Sequence, residues 1–381
     1  MQLKLRCTAG KMLKAIFMCI LMILVSFIFV YAKVKGPCYN CHTMHNSQNG
    51  SAIYTETPKI GGPGTYLLTT KCISCHSSTD SSPTKTLGGN TVPIVYNTVE
   101  PIKITAGGNF WYVQNLGDGY GHNVLTVDGT LSYAPGAYET NTTCGFEGCH
   151  KSLASIRLGP GADWLHNPVT GNGCIGCHVP EHHAPDPDPG PVVKEENGCY
   201  RFLGRPSWVF DIPPHSSRPC VEGIEDPDWE LTVSLTDHNE YRDTDKPAAP
   251  YSPGSGNPQG ISDFCAGCHL DYHSWDAQNR NRDTSGNWLR HPAGDTELPS
   301  TGEYAAYTTY NPEAPVSRPN LTTVSSTVTP GVDRVMCLSC HRAHGSPYPD
   351  MLRWNYDDMI AGDNSKSGGC FTCHTQKNQT P

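Results

Sequence analysis

Two cysteines and two histidines follow one another at fixed spacing near the start of the sequence. Cys38, Cys41 and His42 form a C-x-x-C-H motif, and His45 follows three residues later. In such a motif both thiols can form thioether bonds to a haem while the histidine binds the iron. The additional histidine suggests that the segment also supplies an axial ligand to a second iron.

The C-x-x-C-H motif occurs six times along the chain. Its cysteine pairs are Cys38/Cys41, Cys72/Cys75, Cys174/Cys177, Cys265/Cys268, Cys337/Cys340 and Cys370/Cys373, followed directly by His42, His76, His178, His269, His341 and His374. At the Cys and His frequencies of this chain, chance would produce roughly 0.04 such pentapeptides, so chance is excluded. Zinc is disfavoured because a zinc ribbon does not need a histidine after every cysteine pair, and such ribbons are not typical of exported chains.

A seventh site is predicted where four residues separate the two cysteines. Cys144 and Cys149 are followed directly by His150, and Gly145 and Gly148 give the longer loop the freedom to bring both sulfurs to one haem. The alternative is a disulfide or a free thiol pair beside an unrelated histidine. The sequence therefore predicts seven covalently attached haems c, each with one iron.

The remaining histidines are numerous enough to supply a second ligand to every iron. Seven of the 17 histidines belong to the motifs, and ten are left for seven distal positions. Histidines three or four residues apart on a helical turn share one face, so they cannot bind opposite faces of one porphyrin. His42/His45, His269/His273 and His341/His344 should therefore each serve two haems.

We predict bis-histidine ligation and low reduction potentials, since methionine ligation would raise them. The predicted distal ligands are His45, His122, His166, His183, His273, His291 and His344. One of the neighbours His182 and His183 is expected to be a ligand, and His183 is chosen. His215 and His238 are weaker candidates because they fall in a region without a haem motif.

The composition predicts little regular secondary structure around these sites. Gly and Pro number 38 and 32 of 381 residues, and charged residues make up 17%, where about 25% is usual. The predicted fold class is a multihaem c-type cytochrome, mostly irregular coil, with short α-helices at each haem motif, a few short β-strands and a core built by packed haems. Short strands or a hairpin are expected within Thr91–Thr105 and Phe110–Val113.

The motifs divide the chain into three regions after residue 32. Residues 33–183 contain haem sites one to four, residues 184–260 form a Pro-rich insertion without a haem motif, and residues 261–381 contain sites five to seven. A disulfide is favoured for Cys199 and Cys220 of the insertion, since exported thiols meet an oxidising compartment, and two buried free thiols are the alternative. A disulfide closing a loop of about 20 residues would be worth on the order of 3 kcal/mol.

Residues 1–32 have the pattern of a signal peptide. A basic beginning is followed by an apolar run from Ala15 to Val30 and a small residue, Ala32, at the expected cleavage site. Retention as an N-terminal membrane anchor is the alternative. Removal of the leader leaves 23 basic and 36 acidic residues, a formal charge of −13. This surface disfavours nucleic acid and anionic membranes, and no stable membrane insertion is expected after cleavage.

The chain resembles the multihaem outer-surface c-type cytochromes of metal-respiring bacteria, a cytochrome c3-like group with doubled C-x-x-C-H motifs. The stretch from Cys41 to Ser47 is similar to the first haem site of the filament-forming members, the cytochrome nanowires, and residues 179–183, 224–230 and 341–348 also resemble this group. The resemblance implies export to the periplasm, cell surface or exterior. It also implies that His45 ligates a haem of the adjacent subunit. The departure is the haem number, seven here against six or four in those members.

The predicted function is electron transfer rather than catalysis. The expected partners are other copies of the chain or other cytochromes, and an extracellular metal oxide or other acceptor. Alternatives are a monomeric periplasmic electron carrier, a subunit docked on an outer-membrane conduit, and a multihaem reductase of a nitrogen or sulfur oxyanion. Such reductases often carry a C-x-x-C-K motif at an open iron position, and this sequence contains none.

Overall fold

The computed structural model describes residues of six of the seven predicted motifs, together with much of the chain between them. The described residues are 34–43, 45, 47–48, 51–52, 72–124, 174, 177–178, 182–183, 192–193, 199–204, 220–243, 260–266, 269, 291–294 and 296–379. The predicted signal peptide, the third motif at 144–150, and His166, Cys268 and His273 lie outside the described residues.

The regular elements of the described residues are all short, which agrees with the predicted coil-rich fold class. The α-helices are α1 Cys72–His76, α2 Trp111–Leu116, α3 Ile261–Ala266 and α4 Cys337–Cys340. Turns of 3-10 helix occupy Cys38–Asn40, Asp118–Tyr120, Tyr200–Phe202, Gly302–Ala306, Pro349–Met351, Tyr356–Asp358 and Gly369–Thr372. The strands are β1 Ser47–Gln48, β2 Ser51–Ala52, β3 Ser77–Ser78, β4 Thr84–Leu87, β5 Asn90–Pro93, β6 Tyr96–Asn97, β7 Gly223–Ile224, β8 Glu240–Arg242 and β9 Ser317–Arg318.

A helical turn recurs at the motifs. In five of them the backbone N–H of the histidine bonds to the carbonyl of the first cysteine, four residues back. The distances are 2.8 Å for His42, 2.9 Å for His178, 3.1 Å for His269 and His341, and 3.0 Å for His374. The sixth, at His76, lies within α1. A turn of this kind brings residues three and four apart onto one face, so both cysteines and the histidine can approach the same haem.

The segment between the second and third motifs begins with the predicted strands. β4 and β5 pair as an antiparallel hairpin, and β6 pairs in parallel with β3, which directly follows the second motif. The expectation of a strand at Phe110–Val113 is wrong, because α2 begins at Trp111. Phe110 and Val113, three residues apart, both pack against Val124 on one side of this turn, which is a helical rather than an alternating pattern.

The insertion without a haem motif pairs through its backbone with both haem-bearing regions. Its strand β8 pairs antiparallel with β7 and in parallel with β9, which belongs to the C-terminal haem region. On its other side, Leu203 pairs with His178 of the fourth motif. Cys199 and Cys220 form a disulfide, as favoured from the sequence.

The apolar core of the described residues consists of three small clusters. One surrounds Tyr241 and Met336, one surrounds Tyr310, and one contains Phe110. A buried ionic network adjoins them: the Arg318 guanidinium bonds to Glu240 and to Asp333, each at 2.7 Å. No described helix combines the length and apolar character needed to cross a membrane.

Three segments of backbone cross next to the sixth motif at Gly345. Asn109 N bonds to the carbonyl of Gly345 at 3.0 Å, and Ser346 N bonds to that of Tyr120 at 3.0 Å. Gly345 has φ +147°, and a Cβ atom there would lie 2.7 Å from Asn109 O and 2.8 Å from Tyr120 O. Only glycine fits this crossing, which fixes the neighbouring residue His344.

We predict that Gly345→Ala lowers the free energy of unfolding by about 2–4 kcal/mol, from steric overlap and an unfavourable φ together. Urea unfolding followed by circular dichroism measures this loss. Gly119→Ala is the matched control, since no atom lies within 4 Å of a Cβ there. Equal stability of the two variants would contradict the role assigned to the crossing.

Candidate haem ligand sites

Backbone carbonyls hold three of the motif histidines. The Nδ1 atom lies 3.0 Å from Pro93 O in His76, 2.9 Å from Arg201 O in His178, and 2.7 Å from Asp350 O in His341. A carbonyl can only accept a hydrogen bond, so Nδ1 must carry the proton. Nε2 is then the nitrogen with a free lone pair, and its direction is set by the hydrogen bond behind it.

Similar contacts hold other rings, with different partners. Nδ1 of His122 lies 2.5 Å from Ala343 O, and Nδ1 of His291 lies 3.0 Å from Pro292 O. His374 faces a carboxylate instead, with Nδ1 3.4 Å from Glu303 Oε1. A carboxylate, like a carbonyl, accepts a hydrogen bond from Nδ1 and so leaves Nε2 of His374 as the nitrogen with a free lone pair.

Ten histidine rings lie in pairs with centres about 6 Å apart, called facing pairs below, with interplanar angles from 19° for His76/His182 to 89° for His374/His291. Each pair joins one motif histidine to one histidine outside the C-x-x-C-H motifs. The distances between ring centres are 5.9 Å for His42/His183, 6.3 Å for His76/His182, 6.0 Å for His178/His344, 5.9 Å for His269/His122 and 6.2 Å for His374/His291. Five separations that agree within 0.4 Å indicate one shared kind of site.

This separation fits a haem iron between the rings. With about 2 Å for each metal–imidazole bond and about 1.2 Å from nitrogen to ring centre, two axial imidazoles have centres about 6 Å apart. Rings in van der Waals contact would lie closer, as His238 and Tyr310 do at 3.7 Å. The spacing, the two cysteines beside each motif histidine and the orientation of Nε2 together fit covalently bound haem.

Burial keeps several of these imidazoles neutral, as an iron ligand must be. Desolvation lowers the pKa of His76, His122, His178 and His341, and it lowers the pKa of His344 to about 3. The ring of His344 is also packed by Phe110, with ring centres 4.8 Å apart.

Of the histidines predicted as distal ligands, four face a motif histidine: His122, His183, His291 and His344. His183 is the ligand predicted from the neighbouring pair, and His182 also faces a motif ring, that of His76. Neighbouring side chains leave the backbone in different directions, so two adjacent histidines can reach two haems. Their adjacency was the signal for this in the sequence.

Three histidines have other surroundings. His45 is exposed, with φ +58°. His341 faces no second histidine ring among the residues that the structure describes. His238 is buried, stacks on Tyr310, and its Nδ1 lies 2.9 Å from Ser234 O, so it belongs to the protein core.

The attachment cysteines of different motifs also lie side by side. Cys72 lies beside Cys174, and Cys265 lies beside Cys337. Cys41 is near Cys75, Cys177 is near Cys265, and Cys340 is near Cys370 and Cys373. These neighbours connect the six described motifs in one row that follows their order in the chain.

Repeated C-x-x-C-H turns and histidine pairs spaced for an iron define a multihaem c-type cytochrome. Residues 330–379 match the family described as a doubled CXXCH motif. The chain is 26% identical over 377 residues to the C-type cytochrome OmcS of Geobacter sulfurreducens, with 84% of this chain and 79% of that protein covered. The predicted resemblance to multihaem outer-surface cytochromes is thereby confirmed.

Two solved structures from Geobacter sulfurreducens are similar. The outer membrane cytochrome S filament is 19% identical with a TM-score of 0.49, covering 86% of this chain and 85% of that one. The OmcS nanowires are 17% identical with a TM-score of 0.43, covering 92% and 95%.

We predict that His182→Ala and His183→Ala each convert one haem to a high-spin form, because each removes one ligand from a different iron. Absorption and electron paramagnetic resonance spectra of the purified protein measure the change, and added imidazole should reverse it. His238→Phe is the control and should produce no high-spin signal, since His238 faces Tyr310. An unchanged spectrum in His182→Ala would show that His76 has another partner.

Proposed function

We propose that the chain is a heptahaem c-type cytochrome that conducts electrons through bis-histidine haems to extracellular acceptors or partner cytochromes. The observation that carries this proposal is the set of five facing histidine pairs, each 5.9–6.3 Å between ring centres. When bound, each haem supplies a one-electron Fe(III)/Fe(II) couple. The protein contributes attachment, ligation and the order of the sites.

Five ligand sets follow from the facing rings. The two cysteines of each motif hold the haem and the motif histidine is the proximal ligand, with His183, His182, His344, His122 and His291 as the distal ligands for His42, His76, His178, His269 and His374. His150 and His341 then need distal ligands, and His45, His166 and His273 are available. The histidine supply therefore still suffices for seven irons.

The row of neighbouring motifs supports conduction through the length of the chain. His341 and His344 lie three residues apart and serve different sites, so one short segment joins the sixth site to the fourth. Hydrogen bonds from Nδ1 to carbonyls hold the proximal rings still and raise their basicity, which favours Fe(III) and a low potential. A protein with these features is suited to carrying electrons from the cell envelope outwards.

We further propose that the chain forms filaments, with His45 as ligand to a haem of the next subunit. His45 is exposed, and His341 has no facing histidine within the described ranges, so the haem at His341 is the candidate recipient. Its similarity to OmcS, whose solved structures are filaments, supports the same arrangement. Filament growth outside the cell would join the haem rows of successive subunits.

We predict that His45→Ala abolishes filaments, since the junction loses its iron–histidine bond. Electron microscopy of the secreted protein should show filaments only without the substitution, and the variant should gain one high-spin haem per chain. His238→Phe is the control and should retain filaments. Filaments of normal length in His45→Ala, or none in the unsubstituted protein, would contradict the junction.

The number of haems is open to a separate test at the third motif. The double variant Cys144→Ser/Cys149→Ser should lose the mass of one haem, leaving six, when intact mass is measured by mass spectrometry. Cys199→Ser/Cys220→Ser is the matched control and should retain seven, because the structure pairs these cysteines with each other. A chain that carries six haems before any substitution would contradict the seventh site.

A further inference from the structure

A short disulfide-closed segment lies against the fourth motif. Residues 199–204 pair on one side with residues 220–221, through Tyr200 N to Val221 O at 2.9 Å and Val221 N to Leu203 O at 3.0 Å. The Cys199–Cys220 disulfide closes the same side covalently. On the other side, Gly204 N bonds to Cys177 O at 3.3 Å. The segment is therefore held between a covalent bond and a haem-attachment motif.

The backbone of this segment has an uncommon conformation. Cys199, Arg201 and Phe202 have φ values of 61°, 49° and 58°, in the left-handed region that non-glycine residues rarely occupy. Such a conformation is unfavourable and persists only where its surroundings determine it. Here the Cys199–Cys220 disulfide and the pairing with residues 220–221 hold the segment in this conformation.

This conformation places two groups against two different histidine ligands. The carbonyl of Arg201 accepts the hydrogen bond from Nδ1 of His178 at 2.9 Å. The next residue, Phe202, places its ring 5.4 Å from the ring of His182, at an interplanar angle of 59°. His178 and His182 belong to different ligand pairs, with His344 and His76.

The side chain of Arg201 fixes the position of its own carbonyl. Arg201 N bonds to Glu225 Oε1 at 2.7 Å, and its guanidinium bonds to Asn239 Oδ1 at 2.9 Å and to the carbonyl of Asp226. Glu225 also lies 3.9 Å from the guanidinium. These partners come from the loop that precedes β8, so the insertion without a haem motif anchors the acceptor of His178.

We propose that residues 199–203 are a positioning element for the ligands of two haems, those held by His178 and by His76 with His182. This rests on the ligand pairs of the proposed function. The Arg201 carbonyl makes His178 more basic, which stabilises Fe(III) and lowers that haem's potential. Phe202 restricts the rotation of the His182 ring, which lies nearly parallel to His76, at 19°.

Two variants separate the two contacts. Arg201→Ala removes the guanidinium bonds to Asn239 and Asp226 and leaves the backbone bond to Glu225. The carbonyl is then held less firmly, so the midpoint potential of the His178 haem should shift upwards, and Arg201→Lys should partly restore it. Phe202→Leu should instead change the g-values of the His76/His182 haem, because the angle between two imidazole planes sets the anisotropy of a low-spin iron. Potentiometric titration followed by electron paramagnetic resonance measures both.

The electron paramagnetic resonance signal that is lost in His178→Ala is assigned to the His178 haem, and the signal that is lost in His182→Ala is assigned to the His76/His182 haem. The double variant Cys199→Ser/Cys220→Ser should change the potential of the His178 haem and the g-values of the His76/His182 haem together. The signals of the His374/His291 haem should be unchanged. Val328→Ala, in the core cluster around Tyr310, is the control for a loss of stability. It should change neither the potential of the His178 haem nor the g-values of the His76/His182 haem.

Unmoved potentials and g-values in both Arg201→Ala and Phe202→Leu would overturn the positioning role. A spectrum unaltered by His178→Ala and His182→Ala would overturn the ligand pairs themselves, so the two failures are distinguishable.

Discussion

The described structure is arranged around pairs of histidine rings whose centres lie about 6 Å apart, the separation that two imidazole ligands of one iron would have. The facing rings come from positions far apart in the chain. His178 faces His344 and His42 faces His183. Each pair therefore closes a long loop, and iron–histidine bonds in these pairs would cross-link the chain much as disulfides do in small secreted proteins. Such cross-links would hold distant segments together, which would allow the apolar clusters to stay small.

The same arrangement explains why so much of the backbone is irregular. A carbonyl inside a helix or sheet is already used in the ladder of hydrogen bonds, whereas one in an irregular segment remains available. Arg201 and Asp350, whose carbonyls hold His178 and His341, both have left-handed φ values that end regular pairing. Irregular structure here supplies acceptors at the places where the rings need them.

The insertion between the two haem regions illustrates how the parts depend on one another. The sequence marks it as a region without a haem motif, yet its strand β8 pairs with β9 and its residue Leu203 pairs with His178. Its buried Glu240 is neutralised by Arg318 from the C-terminal region. Burying an unpaired carboxylate would be costly, so this contact fixes the insertion against the haem-bearing chain.

The sequence by itself determined the attachment sites, because thioether chemistry requires two cysteines and a histidine within one helical turn, and that pattern is local. It also predicted the disulfide, the coil-rich fold and four of the facing histidines: His122, His183, His291 and His344. It did not reveal that His182 and His183 both face motif rings, that residues 110–113 lead into a helix, or which carbonyl holds each ring. Only the tertiary structure decided these, because ring pairing joins residues more than eighty positions apart and depends on where the intervening chain folds.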